Sequence, residues 1–296
     1  MALYAFDGTG NEDKPGDDED TNVLKFFRAY EGGNNFYVEG VGTRHWIVGS
    51  ALGGALGLGA KERIDEALAA LEDNFEAGDE SIDIIGFSRG AALALEFANE
   101  IFDDGINGVA APPIRFMGLW DTVASFGIPG NNINIGIELT VPENVEACCH
   151  AVSLDERRRT FPLTRMTQDK FSGRDLIDIR EVWFRGYHSD VGGGNKNEGL
   201  SNIALHWMYQ RAMAAALPLR GALVEEARDG SDPATDPKTP GMDRKANKKR
   251  TIRATDVVHE SVTRIARAGR FPANNPPKGL AVMGDNGALL ANGFEE

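Results

Sequence analysis

The sequence predicts an α/β fold in which helices cover both faces of a mainly parallel sheet. Short apolar segments typical of buried strands alternate with longer segments at helical spacing, an order that favours parallel strands joined by helices. Four of the turns that follow these strands carry the polar residues Asp7, Ser88, Asp121 and His188. The chain has 296 residues, 42% of them hydrophobic, which is enough for one large core, and we predict a single domain over residues 1–296.

The first 60 residues predict two strands, a helix and a glycine-rich run. Residues 3–6 (LYAF) predict a short buried strand, which leads into the turn at residues 7–11 (DGTGN) and an acidic loop. Residues 22–30 predict a helix, and residues 35–39 predict a second strand. The run at residues 48–60 holds five glycines but lacks the Gly-Lys-Ser/Thr ending of a phosphate loop, which argues against nucleotide binding. We interpret it as a closely packed or mobile segment, or as a lid near a functional site.

A helix, a strand and a second helix follow in the middle of the chain. Residues 61–77 have the clearest helical pattern, which ends at Gly78. The apolar residues that recur there at helical spacing are Ile64, Leu68, Leu71 and Phe75. Residues 81–85 predict a strand and residues 89–102 a helix rich in alanine and leucine, so that Ser88 lies at a strand-to-helix junction.

The second half of the chain predicts further strands and helices around one polar segment. Strands are predicted at residues 113–119 and 178–184, and helices at residues 200–217 and 254–268. The candidate N-caps of the last helix are Thr255 and Asp256. Residues 225–250 are rich in Asp, Lys, Pro and Gly and poor in apolar residues. We interpret them as a polar loop or a partly disordered insertion.

The segment Gly86-Phe87-Ser88-Arg89-Gly90 contains the pattern Gly-x-Ser-x-Gly at the predicted strand-to-helix junction. A serine on such a sharp turn presents its hydroxyl at the end of a sheet, and the two glycines avoid Cβ clashes with neighbouring backbone. The start of the next helix directs free N–H groups and partial positive charge toward the serine oxygen. These features make Ser88 a candidate nucleophile.

A nucleophilic serine needs a base that takes its proton, and His188 is the candidate base. Of the five histidines, His188 follows a predicted strand and precedes the run SDVGGG, which permits an unusual loop. The histidines with other expected positions are His45 at the mouth of a site, His150 on a buried strand, and His206 and His259 inside helices.

Two aspartates compete for the place of the acid that orients this base. Asp121 ends a predicted strand and gives the chain order Ser–Asp–His, which is the order of an α/β-hydrolase. Asp190 lies two residues beyond His188, a spacing at which side chains tend to point apart. We therefore predict the triad of Ser88, Asp121 and His188, and we expect Asp190 to fix the loop.

Backbone N–H groups near Ser88 are the candidate donors of an oxyanion hole. In α/β-hydrolases one donor belongs to the residue after the nucleophile, here Arg89, and the second belongs to a loop after another strand. Gly8 and Thr9 are the candidates for that loop, with Asp7 in a supporting role. The alternative is that the DGTGN segment is an ordinary Asp/Gly turn.

We predict neither a cofactor nor a metal site. The residues whose ligand types could surround a cation are Asp7, Asp121, His188 and Asp190. Nothing in their spacing requires a metal, and a metal enzyme would leave the serine motif without a purpose. The two cysteines, Cys148 and Cys149, are adjacent, a spacing that suits neither a disulfide nor a zinc site.

Composition and charge exclude several classes of function. The formal net charge of −14 and the pI of about 4.9 would repel nucleic acid, so we expect no nucleic-acid partner. No apolar run approaches the ~18–20 residues of a membrane span. The segment MALYAFDGTG lacks the basic start of a signal peptide, which predicts a cytoplasmic location in the cell that makes the protein.

Nine motifs, in a fixed order between about residues 3 and 265, resemble one family of bacterial proteins. They are FDGTGN (6–11), TN (21–22), GVGT (40–43), GFSRGA (86–91), LWDTV (119–123), AVSLDER (151–157), VWF (182–184), HSDVGGG (188–194) and LSN (200–202). Together they are similar to the catalytic domain of the type VI secretion lipase effectors, the first family of phospholipase effectors.

The resemblance implies an α/β-hydrolase whose triad is Ser88, Asp121 and His188. It implies a phospholipase, of the A type, that releases fatty acid from glycerophospholipids after type VI secretion into rival cells. A component of the secretion apparatus and an immunity protein are the implied partners. Two alternatives stay open: a soluble short-chain esterase or thioesterase, and a non-catalytic binding protein on the same fold.

Overall fold

A computed structural model describes residues 1–8, 20–40, 52–124, 137–166, 178–241, 247–265 and 274–295. Its strands are β1 (Ala2–Phe6), β2 (Phe36–Val38), β3 (Ile82–Phe87), β4 (Ile114–Trp120), β5 (Ala147–Ser153), β6 (Asp178–Phe184), β7 (Val257–His259) and β8 (Ala281–Met283). Its helices are α1 (Asn22–Ala29), α2 (Leu52–Glu76), α3 (Arg89–Asp104), α4 (His188–Gly192), α5 (Glu198–Ala214), α6 (Gly221–Asp229) and α7 (Ser261–Ile265).

Within this part of the chain the strands form one eight-stranded sheet in the order β2-β1-β3-β4-β5-β6-β7-β8, and all neighbours are parallel. Successive side chains of a strand point to opposite faces. Tyr4 and Phe6 accordingly enter the core beneath α2 and α3, whereas Leu3 and Ala5 enter the core beneath α1 and α5. The predicted fold class, a mainly parallel sheet with helices on both faces, is confirmed.

The sheet order explains where polar side chains collect. β2 lies on one side of β1 and β3 lies on the other. The connections that follow β1 and β3 therefore run in opposite directions, which opens a crevice at the carboxyl ends of these strands. Asp7 follows β1, Ser88 follows β3 and Asp121 follows β4, while His188 comes shortly after β6. The four residues singled out from the sequence therefore all lie at the same edge of the sheet.

Helix α2 begins earlier than the sequence predicts. It starts at Leu52 and takes in most of the glycine-rich run, whereas His45 and residues 48–51 lie outside the described residues. Each glycine weakens a helix by about 1 kcal/mol, but the fully buried Ala67 and Leu71 anchor the later turns, and a helix once formed propagates. Among the described helices, none is both long enough and apolar enough for a membrane crossing.

The prediction of a helix over residues 254–268 is wrong. Val257–His259 forms the short strand β7 between β6 and β8, and helix α7 starts only at Ser261. The central Val258 is fully buried, as expected of a strand covered on both faces, and three residues are too few to show a period of two. Asp256 is consequently not an N-cap, and its carboxylate pairs with Arg165.

The polar segment at residues 225–250 is only partly a loop. Its first residues belong to α6, where Val224 and Ala227 are buried in the core beside α5. Apolar residues at this i,i+3 spacing suffice for one narrow contact stripe, which the low overall hydrophobicity of the segment obscured. At its other end, Arg250 is nearly buried and contacts Asp121, as described below.

Candidate active site

Ser88 lies on a strained turn between β3 and α3. Its φ of 57° and ψ of −122° are backbone angles that a residue with a side chain adopts rarely. The turn needs both flanking glycines. A Cβ on Gly86 would lie 2.7 Å from the Cα of Ala91, and a Cβ on Gly90 would lie 2.2 Å from the carbonyl oxygen of Phe6. The glycines thus let α3 start directly against β1 and β3.

Ser88, His188 and Asp121 form a continuous hydrogen-bonded series. The Oγ of Ser88 lies 2.9 Å from the Nε2 of His188, and the Nδ1 of His188 lies 2.5 Å from the Oδ2 of Asp121. Because an ionised carboxylate can only accept, the Nδ1–H donates to Asp121, which leaves Nε2 as the acceptor for the serine hydroxyl. All three residues are buried, and Ser88 keeps 6% of its surface exposed.

Asp121 is fixed from its own backbone and from β5. Its φ of 40° turns the chain sharply at the end of β4. The N–H of Asp121 donates to the carbonyl of Ala151 at 2.8 Å, and the N–H of Ser153 donates to the Oδ1 of Asp121 at 2.8 Å. The carboxylate is therefore held in one orientation, with Oδ2 toward His188.

Arg250 binds both oxygens of the same carboxylate. Its Nη1 donates to Oδ1 of Asp121 at 2.5 Å and its Nη2 to Oδ2 at 3.0 Å. Burial by itself would raise the pKa of Asp121, but the Arg250 cation and the hydrogen bond from His188 outweigh it and hold that pKa well below its usual range. Arg250 was not predicted from the sequence, because an arginine in an irregular segment carries no signal of its own.

The imidazole of His188 is held by packing as well as by hydrogen bonds. Its ring lies 4.7 Å from the ring of Phe87 and 4.8 Å from that of Phe161. The backbone N–H of His188 donates to the carboxylate of Glu156 at 3.2 Å, and Glu156 also pairs with Arg158 at 2.7 Å. Glu156 lies in the AVSLDER motif and Arg158 directly follows it, so this segment holds the backbone of His188 in place.

Asp190 fixes the short helix that carries His188, and its carboxylate does not contact the imidazole within the described structure. It accepts the N–H of Tyr187 at 2.9 Å. It also accepts the side-chain amides of Asn195 at 2.9 Å and Asn197 at 2.8 Å. Of the two aspartates that compete for the place of the acid, the structure puts Asp121 against His188.

The loop after β1 lies beside the start of α3, as an oxyanion hole requires. Arg89 is the first residue of α3, and its N–H consequently has no acceptor within the helix. The N–H of Gly8 is engaged, because it donates to Oδ1 of Asp7 at 2.6 Å. Oδ2 of Asp7 accepts the hydroxyls of Thr21 and Tyr37, each at 2.6 Å, which ties the loop to α1 and β2. Thr9 lies outside the described residues.

A second cluster with the same chemical groups lies next to the first. The N–H of Thr122 donates to Nε2 of His150 at 3.1 Å, so Nδ1–H of His150 faces Glu181 at 3.1 Å. The hydroxyl of Thr122 is also 3.1 Å from Nε2, and Nε of Arg165 donates to Glu181 at 2.6 Å. Burial would raise the pKa of Glu181, but His150 and Arg165 prevail and lower it to about 2. The sequence pattern predicts His150 on a buried strand but does not predict this cluster.

Two further histidines, His206 and His259, lie around Asp285 just after β8. His259 ends β7 instead of lying in a helix, and its Nε2 is 2.9 Å from Oδ1 of Asp285. His206 approaches the other carboxylate oxygen at 3.5 Å. Among the described residues, His259, Glu260 and Asp285 form a group whose potential metal-ligating atoms all lie within 4.8 Å of one another. The imidazoles and the carboxylate already satisfy each other there, so the group fits a hydrogen-bonded cluster.

Comparisons with known proteins bear on the family and the fold of this chain. A family model described as "T6SS, Phospholipase effector Tle1-like, catalytic domain" matches residues 3–108 and 107–211. The solved structure of an uncharacterized protein from Pseudomonas aeruginosa is 23% identical, with a TM-score of 0.51 over 78% of this chain and 48% of that one. This chain thus spans about half the length of that protein.

A solved structure described as the Tle1 effector bound to the VgrG spike from the type 6 secretion system is 17% identical, with a TM-score of 0.53. That alignment covers 77% of this chain and 78% of the effector. At such identities the two structures establish a shared fold. The comparison with curated proteins gave no match.

Proposed function

This chain belongs to the family of Tle1-like phospholipase effectors of type VI secretion, and we propose that it hydrolyses carboxylic esters of glycerophospholipids. In this proposal Ser88 is the nucleophile, His188 is the base and Asp121 is the acid that orients the base. The observation that carries the proposal is the hydrogen-bonded series from Ser88 through His188 to Asp121, with the serine on a strained turn at the carboxyl edge of the sheet. Membership of the family supports the lipid substrate.

In the proposed acylation step, the Oγ of Ser88 attacks the ester carbonyl carbon while its proton passes to Nε2 of His188. The carboxylate of Asp121 stabilises the imidazolium that forms, and Arg250 keeps this carboxylate ionised. The carbon–oxygen bond to the glycerol then breaks, and His188 gives its proton to the leaving alkoxide. A lysophospholipid departs, and the fatty acyl group stays on Ser88.

Deacylation repeats these transfers with water in place of the serine hydroxyl. His188 takes a proton from a water molecule, which attacks the acyl carbon, and the proton then returns to Oγ of Ser88 as the fatty acid leaves. In both steps we assign the N–H of Arg89 as one donor to the oxyanion. The N–H of Gly8 could act as the second donor only after it leaves the Asp7 carboxylate that it contacts here.

We further propose that the protein is delivered as an antibacterial effector. It would reside in the cytoplasm of the producing cell and pass through the secretion apparatus into a rival cell. The similar effector bound to a VgrG spike supports a spike component as one partner. An immunity protein is the second, because an enzyme that degrades common phospholipids endangers the cell that makes it.

Product analysis on defined vesicles tests the proposed reaction. The purified chain is incubated with vesicles of 1-palmitoyl-2-oleoyl phosphatidylethanolamine and phosphatidylglycerol, and the products are identified by mass spectrometry. We expect free fatty acid and lysophospholipid in equal amounts, and the identity of the acid gives the position cleaved. The Ser88→Ala variant should release neither product.

A series of p-nitrophenyl esters of increasing chain length separates the proposal from its alternatives. Cleavage of acetate and butyrate esters without any attack on vesicles would indicate a short-chain esterase. Absence of turnover on every ester, by a chain that is correctly folded by circular dichroism, would favour a binding protein on the same fold.

A further inference from the structure

Arg89 follows Ser88 directly and is the first residue of α3. Its side chain is half-buried. Among the described residues, its guanidinium forms neither a hydrogen bond nor an ion pair, and burial alone accounts for the lowering of its pKa to about 10. With that pKa the group is still a cation at neutral pH. The residue next to the candidate nucleophile therefore carries a partly desolvated cation that has no counter-ion among the described residues.

Five other arginines that are largely removed from solvent have carboxylate partners, whereas Arg157 and Arg211 have none among the described residues. The pairs in the described structure are Arg115–Asp83, Arg158–Glu156, Arg165–Glu181, Arg185–Asp155 and Arg250–Asp121. Removing a charge from water costs free energy unless an opposite charge compensates it. A chain with 45 acidic residues has many carboxylates to offer, yet none of the described ones lies against Arg89. Arg89 differs from Arg157 and Arg211 in that it directly follows the candidate nucleophile, where the substrate itself can supply the counter-ion.

We propose that the guanidinium of Arg89 binds the phosphate group of the lipid whose ester Ser88 attacks. In a glycerophospholipid the phosphate is only a few bonds from the acyl ester, so a cation adjacent in sequence to the nucleophile can contact it during attack. The planar guanidinium presents paired N–H donors that match two phosphate oxygens. The partial positive charge at the start of α3 adds to the same attraction. The inference rests on the proposed ester hydrolysis and adds to it a residue that selects phosphate-bearing esters.

The net charge of the chain is a second reason to expect a role for Arg89 in headgroup binding. A net charge of −14 repels an anionic headgroup at long range. A local cation in the site, screened less than surface charges are, offsets this repulsion where the headgroup binds. Selectivity should therefore depend on this one side chain more than on any exposed arginine.

The test compares two lipids that differ only in the headgroup. Dioctanoyl phosphatidylglycerol and dioctanoylglycerol are presented in the same neutral detergent micelles, and kcat and KM are measured for wild type, Arg89→Gln, Arg89→Lys and Arg220→Gln. Arg220 is the matched control, because it is 59% exposed at its side chain and lies near the C-terminal end of α1, where its N–H donates to Ala29. Thermal denaturation of each variant checks that it is folded.

We expect the ratio of kcat/KM for the phospholipid to kcat/KM for dioctanoylglycerol to fall about 10- to 100-fold in Arg89→Gln, mainly through KM. Arg89→Lys should retain part of the ratio, and Arg220→Gln should keep the wild-type value. Inhibition of dioctanoylglycerol hydrolysis by inorganic phosphate, present in wild type and lost in Arg89→Gln, would assign the site to any phosphate anion. A lowered ratio without such inhibition would assign it to the lipid diester.

An unchanged ratio in Arg89→Gln would overturn the inference while leaving ester hydrolysis intact. Equal losses on the two lipids would overturn it as well, since they would place the guanidinium in the reaction and not at the headgroup. An equally large fall of the ratio in Arg220→Gln would also refute it, because the effect would then not be specific to Arg89. Failure of wild type to cleave either lipid would refute the proposed function itself, and thus is distinguishable from failure of this inference.

Discussion

Two neighbouring clusters of this molecule contain the same four chemical groups. Ser88, His188, Asp121 and Arg250 supply a hydroxyl, an imidazole, a carboxylate and a guanidinium. Thr122, His150, Glu181 and Arg165 supply the same set. Asp121 and Thr122 are consecutive in the chain, so the end of β4 contributes a different group to each cluster.

The clusters differ in access and in the state of the imidazole. Ser88 is 6% exposed, whereas Thr122 and His150 are fully buried. Nε2 of His150 already accepts the N–H of Thr122, whereas the described partner of Nε2 in His188 is the serine hydroxyl. A base needs a lone pair that is free for the nucleophile's proton. We infer that the first cluster performs chemistry and that the second stabilises the strand ends that hold it.

The largest contrast should appear when the hydroxyl is removed from each cluster. Ser88→Ala should lower kcat by about 10⁵- to 10⁶-fold, because no nucleophile remains. Thr122→Val, the matched change in the second cluster, should lower kcat by less than about tenfold, because the N–H that bonds His150 is retained. Initial rates on a p-nitrophenyl ester measure both. Comparable losses of kcat in the two variants would contradict the distinction between a catalytic and a structural cluster.

Neutralising the acids should give the next largest difference in activity. Asp121→Asn should lower kcat by about 10⁴-fold, since an amide can hold His188 in the wrong tautomer and cannot stabilise the imidazolium. Glu181→Gln should leave kcat of the folded enzyme within about tenfold of wild type. Rates are divided by the concentration of folded enzyme, which active-site titration measures. A folded Glu181→Gln enzyme without turnover would contradict the structural role of the second cluster.

Glu181→Gln, which should have little effect on kcat, should lower the free energy of unfolding. The pKa of Glu181 is lowered to about 2 from an ordinary value near 4.5, so this carboxylate contributes stability above pH 4.5 that is lost as the pH falls toward 2. The shift corresponds to about 3 kcal/mol. Urea unfolding of wild type and Glu181→Gln should differ by this amount at pH 7 and converge as the pH approaches 2. A constant difference across that range would contradict the proposed role.

The smallest expected effect is that of the clamp on Asp121. Arg250→Gln should lower kcat/KM by about 10- to 30-fold at neutral pH, because Asp121 loses two charge-assisted hydrogen bonds. Without this cation the pKa of Asp121 rises, so activity should be lost at a less acidic pH than in wild type. Arg250→Lys should restore part of both properties. A pH–rate profile that does not move would show that Arg250 serves packing alone.

The sequence was sufficient to predict three of the four residues of the first cluster, because Ser88, Asp121 and His188 each follow a recognisable strand. Ser88, Asp121 and His188 are far apart in the chain, but parallel strands bring their carboxyl ends to one edge. The positions of helices α1 and α3 were also predictable, since their apolar residues recur at helical spacing. The catalytic roles of these residues stay predictions until activity is measured.

Elements without a local pattern could not be predicted. The strand β7 has three residues, too few to show alternation, and its burial depends on neighbours from distant segments. Arg250 and Arg165 reach their partners across 129 and 16 residues, respectively, so their roles depend on tertiary structure. The helical start of α2 was hidden by glycines, whose low propensity is overcome by packing of the later turns.

Labelling by a fluorophosphonate probe tests most directly whether Ser88 is the nucleophile of a serine hydrolase. Intact-protein mass spectrometry followed by peptide mapping should find one adduct per chain, on Ser88. The adduct should be absent from Ser88→Ala, should form much more slowly in His188→Gln and should form normally in Thr122→Val. A folded wild-type chain that acquires no adduct, or an adduct that persists in Ser88→Ala, would contradict the assignment of Ser88 as the nucleophile.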